Sequence, residues 1–380
     1  MCISRGMRIL RRIFRRLRGR YPGFVTPAAM EGQGGYNRSS QVQAAGLSPA
    51  VPMLQLAART VALPPGSQPI VIADYGSSEG HNSLLPLGAA IAILRERIGP
   101  DRTISVVHTD LPENDFSVLF KTLNTDPNSY LRRDHEVFAS AVGRSFYEQV
   151  LPAGSVTLAW SSWAVQWLSH APAPIPDQVQ VAFSHDASTR AAFSRQAADD
   201  WQQFLTHRER ELCPGAKLAV ITMAVDQDGQ FGYRPLLNAM YAALVDMVDS
   251  GFISGEEMRR MVIPTVARSR ADFLAPFGTE GRFGSLRVEE LDIFLGEDHF
   301  WSDFERDGDA RRFAARWAAF SRASVFPTLA GGLNGGRNES RTTQFIEDLE
   351  SGTTTRLAAN PERMLIPLGR VLLAKEQISA

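Results

Sequence analysis

The chain has 380 residues, 44% of them hydrophobic and 21% charged, which suffices for a large buried core and is too apolar for a disordered polypeptide. Two cysteines, Cys2 and Cys213, exclude a disulfide framework or a cysteine-based zinc site as the main organising feature. The net charge of −1 hides an asymmetry: residues 1–29 hold eight arginines and no acid, leaving 32 basic against 41 acidic residues elsewhere, a net −9. Phosphate neutralisation needs a basic face, so an acidic body argues against a nucleic-acid-binding enzyme. No uncharged apolar run approaches bilayer-spanning length, and no stable membrane insertion is expected.

The first segment, 1–29, carries Ile9, Leu10, Ile13, Phe14 and Leu17 at helical spacing with arginines between them. Such a pattern reads either as a surface-seeking basic amphipathic helix or as a dispensable tail outside the catalytic fold. Met30 begins the part expected to fold as the core. From Ile70 onward, short β-branched runs alternate with longer helical ones. Ile70–Asp74 is predicted as a strand and Ser83–Ile98 as a helix. Thr103–Asp110 is a second strand, followed by a helix through Phe116, Leu119 and Phe120. Ser155–Trp160, Leu218–Val225 and Leu365–Ala374 complete the predicted strands. Strand-then-helix alternation implies a mostly parallel α/β sheet covered on both faces. Between Leu236 and Phe326 the pattern reads as largely helical, and Thr328–Arg341 as a Gly/Asn/Ser-rich loop. The expected organisation is an arm at 1–29, an α/β core at 30–235, a helical lobe at 236–345 and a return to the sheet at 346–380.

Two strand ends carry the chemistry. The first strand runs through Asp74 into a turn with Gly76 and Gly80, where the backbone can approach a ligand closely. The spacing is neither G-x-G-x-x-G nor G-x-x-x-x-G-K, which counts against a pyrophosphate cradle for NAD or ATP. A carboxylate there suits a cationic ligand end such as an α-amino group. The second strand closes on Asp110, placed to accept from ribose hydroxyls. An amino acid joined to adenosine satisfies both ends, and S-adenosylmethionine is that molecule.

Four ordered segments then resemble the SABATH family of methyltransferases, which act on small plant acids and, in one branch, on purine nitrogens. Met30–Gln43 resembles the family's opening, Ile72–Asn82 its Ile-Ala-Asp-Leu-Gly-Cys-Ser-Ser-Gly-Pro-Asn, and Thr109–Phe116 its Asn-Asp-Leu-Pro-Gly-Asn-Asp-Phe. Ser145-Phe146-Tyr147 with Ser161–Ser169 resembles Gly-Ser-Phe-Tyr and Ser-Ser-Tyr-Ser-Leu-x-Trp-Leu-Ser; the likeness runs to about Pro264. The resemblance implies a Rossmann-like class I methyltransferase sheet with an inserted helical cap lobe. It places S-adenosylmethionine contacts on Tyr36, Ser40, Gly76, Asn82, Asp110, Leu111, Ser145 and Phe146, with Asp74 nearby. Gln43 and Trp167 fall on the family's carboxylate holders, and Trp163 on a pocket tyrosine. A cytoplasmic enzyme is expected, with a homodimer allowed.

Methyl transfer to a carboxylate needs no general base, because the acid is already ionised at pH 7. Amide and indole donors such as Gln43 and Trp167 fix the oxygen without opposing its charge. Trp163 and Trp167 lie four apart and would share a face if helical. His108 and His185 are assigned no catalytic role. Some members of the resembled family carry magnesium at Asp-Ser-Phe-Asn-Ile-Pro; here the stretch is Arg259-Arg260-Met261-Val262-Ile263-Pro264, and no metal is expected. Leu237 stands where the family usually has a tryptophan, which implies a more aliphatic, roomier pocket. The expected reaction is methyl ester formation on a small hydrophobic or aromatic acid. The competing readings are methylation of a ring nitrogen, which non-convergence of Gln43 and Trp167 would favour, a nucleotide-dependent oxidoreductase and a non-catalytic binding module.

Overall fold

The computed structural model describes residues 25–32, 48–334 and 339–377. Helix α1 (Val51–Thr60) precedes the alternating run β1 (Ile70–Tyr75), α2 (His81–Ile98), β2 (Ile104–Asp110), α3 (Phe116–Thr125) and β3 (Val137–Gly143). There follow β4 (Val156–Ser162), the long α4 (Ala187–Glu211) and β5 (Leu212–Met223). Three helices, α5 (Arg234–Asp249), α6 (Gly255–Arg260) and α7 (Arg270–Leu274), lead to the hairpin β6 (Arg282–Phe283) and β7 (Leu286–Leu295). The chain then runs through α8 (His299–Asp307), α9 (Ala310–Ser324), α10 (Phe326–Ala330) and α11 (Glu339–Ala359) to β8 (Pro367–Lys375).

These strands form one eight-stranded sheet in the order β3-β2-β1-β4-β5-β8-β7-β6. The first five are parallel, while β8 runs antiparallel to both β5 and β7. Period-two alternation divides β1 between the two faces: Ile70 and Ile72 pack with α1, α2 and α3, whereas Ala73 and Tyr75 pack with Trp201, Phe204 and Leu205 of α4. Helices α5, α9 and α11 pack on one another as the lobe above the strand ends, joined to the sheet by a single apolar core. The α/β sheet with a helical lobe is therefore present.

Three sequence readings are corrected. The span from Leu236 to Phe326 is not helical throughout, because β7 lies within it and belongs to the sheet. Its Leu-Arg-Val-Glu-Glu-Leu-Asp pattern mixes charge with apolar residues because it runs near the sheet edge, where Arg370 of β8 meets Glu290 at 3.2 Å and Asp292 at 3.3 Å. Strand β3 was not anticipated; it is an edge strand of mostly half-buried and exposed residues, with little hydrophobic signal. Residues 25–29, assigned by sequence to the arm, are docked. The Val25 carbonyl accepts from the Ala171 N–H at 2.8 Å, the Ala28 N–H donates to Thr328 Oγ1 at 3.1 Å, and Val25 packs against the core around Leu168 and Phe193.

Candidate active site

The glycine turn after β1 sits against both neighbouring strand ends. Gly76 and Ser77 N–H groups donate to the Thr109 carbonyl at 2.9 and 3.0 Å. Gly76 has φ +87°, and a Cβ there would fall 2.4 Å from Ala164 Cβ and 3.7 Å from the Phe146 ring. Only glycine therefore lets the turn, the segment after β4 and Phe146 meet. Asp110 closes the turn from β2: its carboxylate accepts from the Ser78 N–H at 2.7 Å and the Leu111 N–H at 2.8 Å. Burial pushes the Asp110 carboxyl up to about 6, against the lowering pull of those two N–H groups.

Gly76, Asn82, Asp110, Leu111, Ser145 and Phe146 are all half-buried around this point. Asp74 differs, being wholly buried. One of its oxygens accepts from Ser83 Oγ at 2.6 Å and lies 2.8 Å from His108 Nδ1, while His108 Nε2 lies 2.7 Å from the Tyr130 hydroxyl. His108 is thus a bridge inside the sheet face. Tyr36, Ser40 and Gln43 lie outside the described residues.

A buried ion pair, whose two residues fall in the weak continuation of the resemblance over 200–212, fixes the loop carrying Ser145 and Phe146. In the last turn of α4, Arg208 meets Glu211 at 2.9 Å, both without solvent exposure. Arg208 donates to the carbonyls of Phe146 at 2.6 Å and Glu148 at 2.9 Å, and Glu211 accepts from the N–H groups of Val150 at 2.6 Å and Leu151 at 3.0 Å. The Tyr75 hydroxyl, one residue before Gly76, donates to the same Glu211 at 2.6 Å.

Beside the turn lies an apolar cavity, open to solvent at its mouth. Trp163 and Trp167 form one wall, Leu236, Leu237 and Met240 of α5 a second, and Tyr233 with Phe320 of α9 a third. The shared-helix expectation for the tryptophans is wrong. Residues 163–167 form an irregular turn after β4, with Trp163 at φ +52°. Gln166 holds that turn, donating to the Trp163 carbonyl at 2.6 Å and accepting from Thr222 at 2.7 Å. Tyr147 donates to the Trp167 carbonyl at 2.6 Å, so the tryptophan wall is tied to the Ser145–Phe146 loop. Leu237, expected as the aliphatic replacement, lines the cavity. Tyr233 also lines it; only a Gly-Tyr-Arg-Pro run ahead of a helix hinted at it. Among the described residues no group of three or more His, Cys, Asp or Glu could hold a metal ion, and Arg260 donates to the Gly332 carbonyl and Asn334.

The residues at the turn fit S-adenosylmethionine. Asp74 Oδ1 and the hydroxyls of Ser77 and Ser78 are buried without hydrogen-bond partners, beside a left-handed glycine and the Asp110 carboxylate. A parallel sheet with such a turn at the carboxyl ends of β1 and β2, closed by antiparallel strands and capped by helices, defines a class I methyltransferase fold. A family profile described as SAM dependent carboxyl methyltransferase matches residues 26–358, and the chain belongs to that family, the SABATH methyltransferases it was seen to resemble. Methyltransferase LUC1 of a Fusarium species is 31% identical over 252 residues, spanning 65% of this chain and 66% of the relative. Indole-3-acetate O-methyltransferase 1 of Arabidopsis thaliana is 26% identical over 350 residues, spanning 84% and 90%. Among solved structures, loganic acid methyltransferase with SAH superposes with a TM-score of 0.73 at 20% identity, covering 92% of this chain and 99% of that one. The chain thus spans just under two thirds of the fungal relative's length.

Proposed function

We propose that the protein transfers a methyl group from S-adenosylmethionine to the carboxylate of a small hydrophobic acid, forming a methyl ester. The supporting observation is the joint between the two halves of the site. The tryptophan turn 163–167 packs its Ala164 on Gly76 and is bonded through Trp167 to Tyr147, so the apolar cavity flanks the turn that fits the cofactor. Family membership and relatives whose names specify acids support the same reading.

Bound S-adenosylmethionine supplies an electrophilic sulfonium methyl group. The chain's residues have the remaining tasks of aiming an oxygen and keeping water away. Asp110 accepts from the ribose hydroxyls, and Asp74, Gly76, Asn82, Leu111, Ser145 and Phe146 with Tyr36 and Ser40 complete the cofactor site. The Trp167 indole N–H and the Gln43 amide each donate one hydrogen bond to the acid, with Trp163 alongside. The apolar walls strip water from the carboxylate and raise the value of those bonds. No side chain serves as general acid or base, and no metal takes part. A cytoplasmic location and a homodimer belong to the same proposal and are checked by fractionation and sedimentation.

The direct experiment incubates the protein with methyl-labelled cofactor and a panel of aromatic, terpenoid and fatty acids, reading methyl ester. Trp167→Phe deletes one donor and keeps most of the ring. It is expected to lower ester formation by the worth of one hydrogen bond, about 0.5–1.5 kcal/mol, at unchanged affinity for S-adenosylhomocysteine. If both donors hold one carboxylate, Gln43→Ala combined with Trp167→Phe is non-additive. Ester-free labelling of a heterocycle nitrogen would sink the carboxylate reading.

A further inference from the structure

Each side of the sheet ends in an open strand edge, and the two edges differ. On one side, β6 covers only Leu286 and Arg287 of β7. The rest of that edge bears Glu289, Glu290 and Asp292 and a register shift between Val288 and Glu290, features that keep foreign strands off a sheet. On the other side, β3 pairs with β2 alone among the described residues, in unbroken register. Its sequence, Val-Phe-Ala-Ser-Ala-Val-Gly, has no charge and no proline, and Phe138 is 57% exposed on it.

The backbone of β3 has a definite outward set. The Glu136 carbonyl accepts from the Ile104 N–H at 2.9 Å, and the Arg144 N–H donates to the Asp110 carbonyl at 2.7 Å. The even-numbered residues thus turn their backbone groups toward β2, and Val137, Ala139, Ala141 and Gly143 turn theirs outward. Around its middle residue, Ser140, the strand is self-complementary in charge, with Glu136 and Arg144 equidistant on either side. An antiparallel copy about a two-fold axis at Ser140 sets Val137 opposite Gly143 and Ala139 opposite Ala141. Each of these pairs can exchange both N–H···O=C bonds. The same register sets Phe138 opposite Val142, covering the exposed ring, and Glu136 opposite Arg144 at both ends. Within one chain Arg144 pairs with Glu148 at 2.8 Å, but both side chains are more than half exposed and the bond is too weak to hold it back.

We propose that β3 is a docking edge for a second copy of this chain, pairing antiparallel with the same strand across a two-fold axis at Ser140, so that the two sheets join into one. The occupant is a second copy because Glu136, Arg144 and Phe138 find their complements in this very strand run in reverse. This gives the homodimer proposed above a surface, and it is independent of the reaction the enzyme performs.

Sedimentation velocity of the full chain over a micromolar concentration series reads the assembly, and wild type is expected to run as a dimer. Ser140→Lys sets two ammonium groups face to face on the axis and is expected to weaken dimerisation about tenfold. Arg144→Glu brings like charges together at both ends and weakens it severalfold, and adding Glu136→Arg restores it. Ser140→Cys tests the register directly. Facing Cα atoms of a non-hydrogen-bonded pair lie about 4.5 Å apart, within disulfide reach, so oxidation is expected to give a covalent dimer. Phe138→Cys, exposed on the same face but opposite Val142, is expected to link no more than wild type with its Cys2 and Cys213. A dimer indifferent to Ser140→Lys assembles through another surface and overturns the inference while the homodimer stands. A wild type that stays monomeric overturns both and leaves the edge to a strand of a different protein. Failure of Ser140→Cys to link, or equal linkage of Phe138→Cys, overturns the axis at Ser140.

Discussion

Asp110 joins two requirements that pull in opposite directions. In its proposed role on the ribose, Asp110 must be ionised to accept two hydrogen bonds, yet burial raises its pKa to about 6. Affinity for S-adenosylhomocysteine is therefore expected to weaken as pH falls from 7 to 5, whereas Asp110→Asn should give weak, nearly flat binding across that range. Stability of the ligand-free protein moves the other way. The folded carboxyl holds its proton more tightly than the unfolded chain's, whose pKa is about 3.9, so this group favours folding increasingly as pH drops through 6 toward 4. Subtracting Asp110→Asn melting curves from wild type isolates that trend, and a difference that does not change with pH refutes it. The place of Asp110 was legible in the sequence because it ends a β-branched run just before a Leu-Pro turn. Tyr233 was not, because its place in the cavity wall depends on packing against Trp317 and Phe320, from a helix distant in sequence.

Among elements, the contact between the glycine turn and the segment after β4 decides whether the two halves of the site stay in register. Gly76→Ala introduces a methyl group 2.4 Å from Ala164 Cβ and imposes left-handed backbone on an alanine, itself worth about 1–2 kcal/mol. Both cofactor and acid binding should suffer. Adding Ala164→Gly relieves the clash but not the backbone cost, so calorimetry on the double mutant should show partial recovery; none would mean that the contact is not the cause. The Arg208–Glu211 pair acts similarly on the 145–151 loop. Glu211→Ala leaves a buried guanidinium without its counter-charge, costing about 3–5 kcal/mol in a denaturant titration. Tyr75→Phe removes one bond to that carboxylate, about 1–3 kcal/mol, and is expected to weaken cofactor affinity more than acid affinity. The parallel strands β1, β2, β4 and β5 were readable because burial on both faces makes them continuous apolar runs. Strands β3 and β7 lie at or near the sheet's edges, where charges and small residues erase the two-residue period.

For the whole molecule, residues 25–31 tie the core to the helical lobe. Val25 bonds near the start of the loop after the tryptophan turn, Ala28 reaches Thr328, and Glu31 pairs with Arg322 at 3.1 Å while its N–H donates to the Ala323 carbonyl at 3.0 Å. A chain beginning at Met30 is therefore expected to melt several degrees lower than one beginning at residue 24; equal melting temperatures would mean that the tie contributes nothing. The sheet order has a further consequence, for synthesis. Strand β8 is later in the chain than β6 and β7, yet it lies between them and β5. While the ribosome still holds residues 367–375, β1 to β5 can already pair, but β7 has nothing to pair with on its inner side. The nascent chain must therefore carry an open β5 edge and an unattached hairpin, both able to recruit foreign strands. Closure waits for emergence of the nine residues of β8, and the aggregation risk persists until they pair.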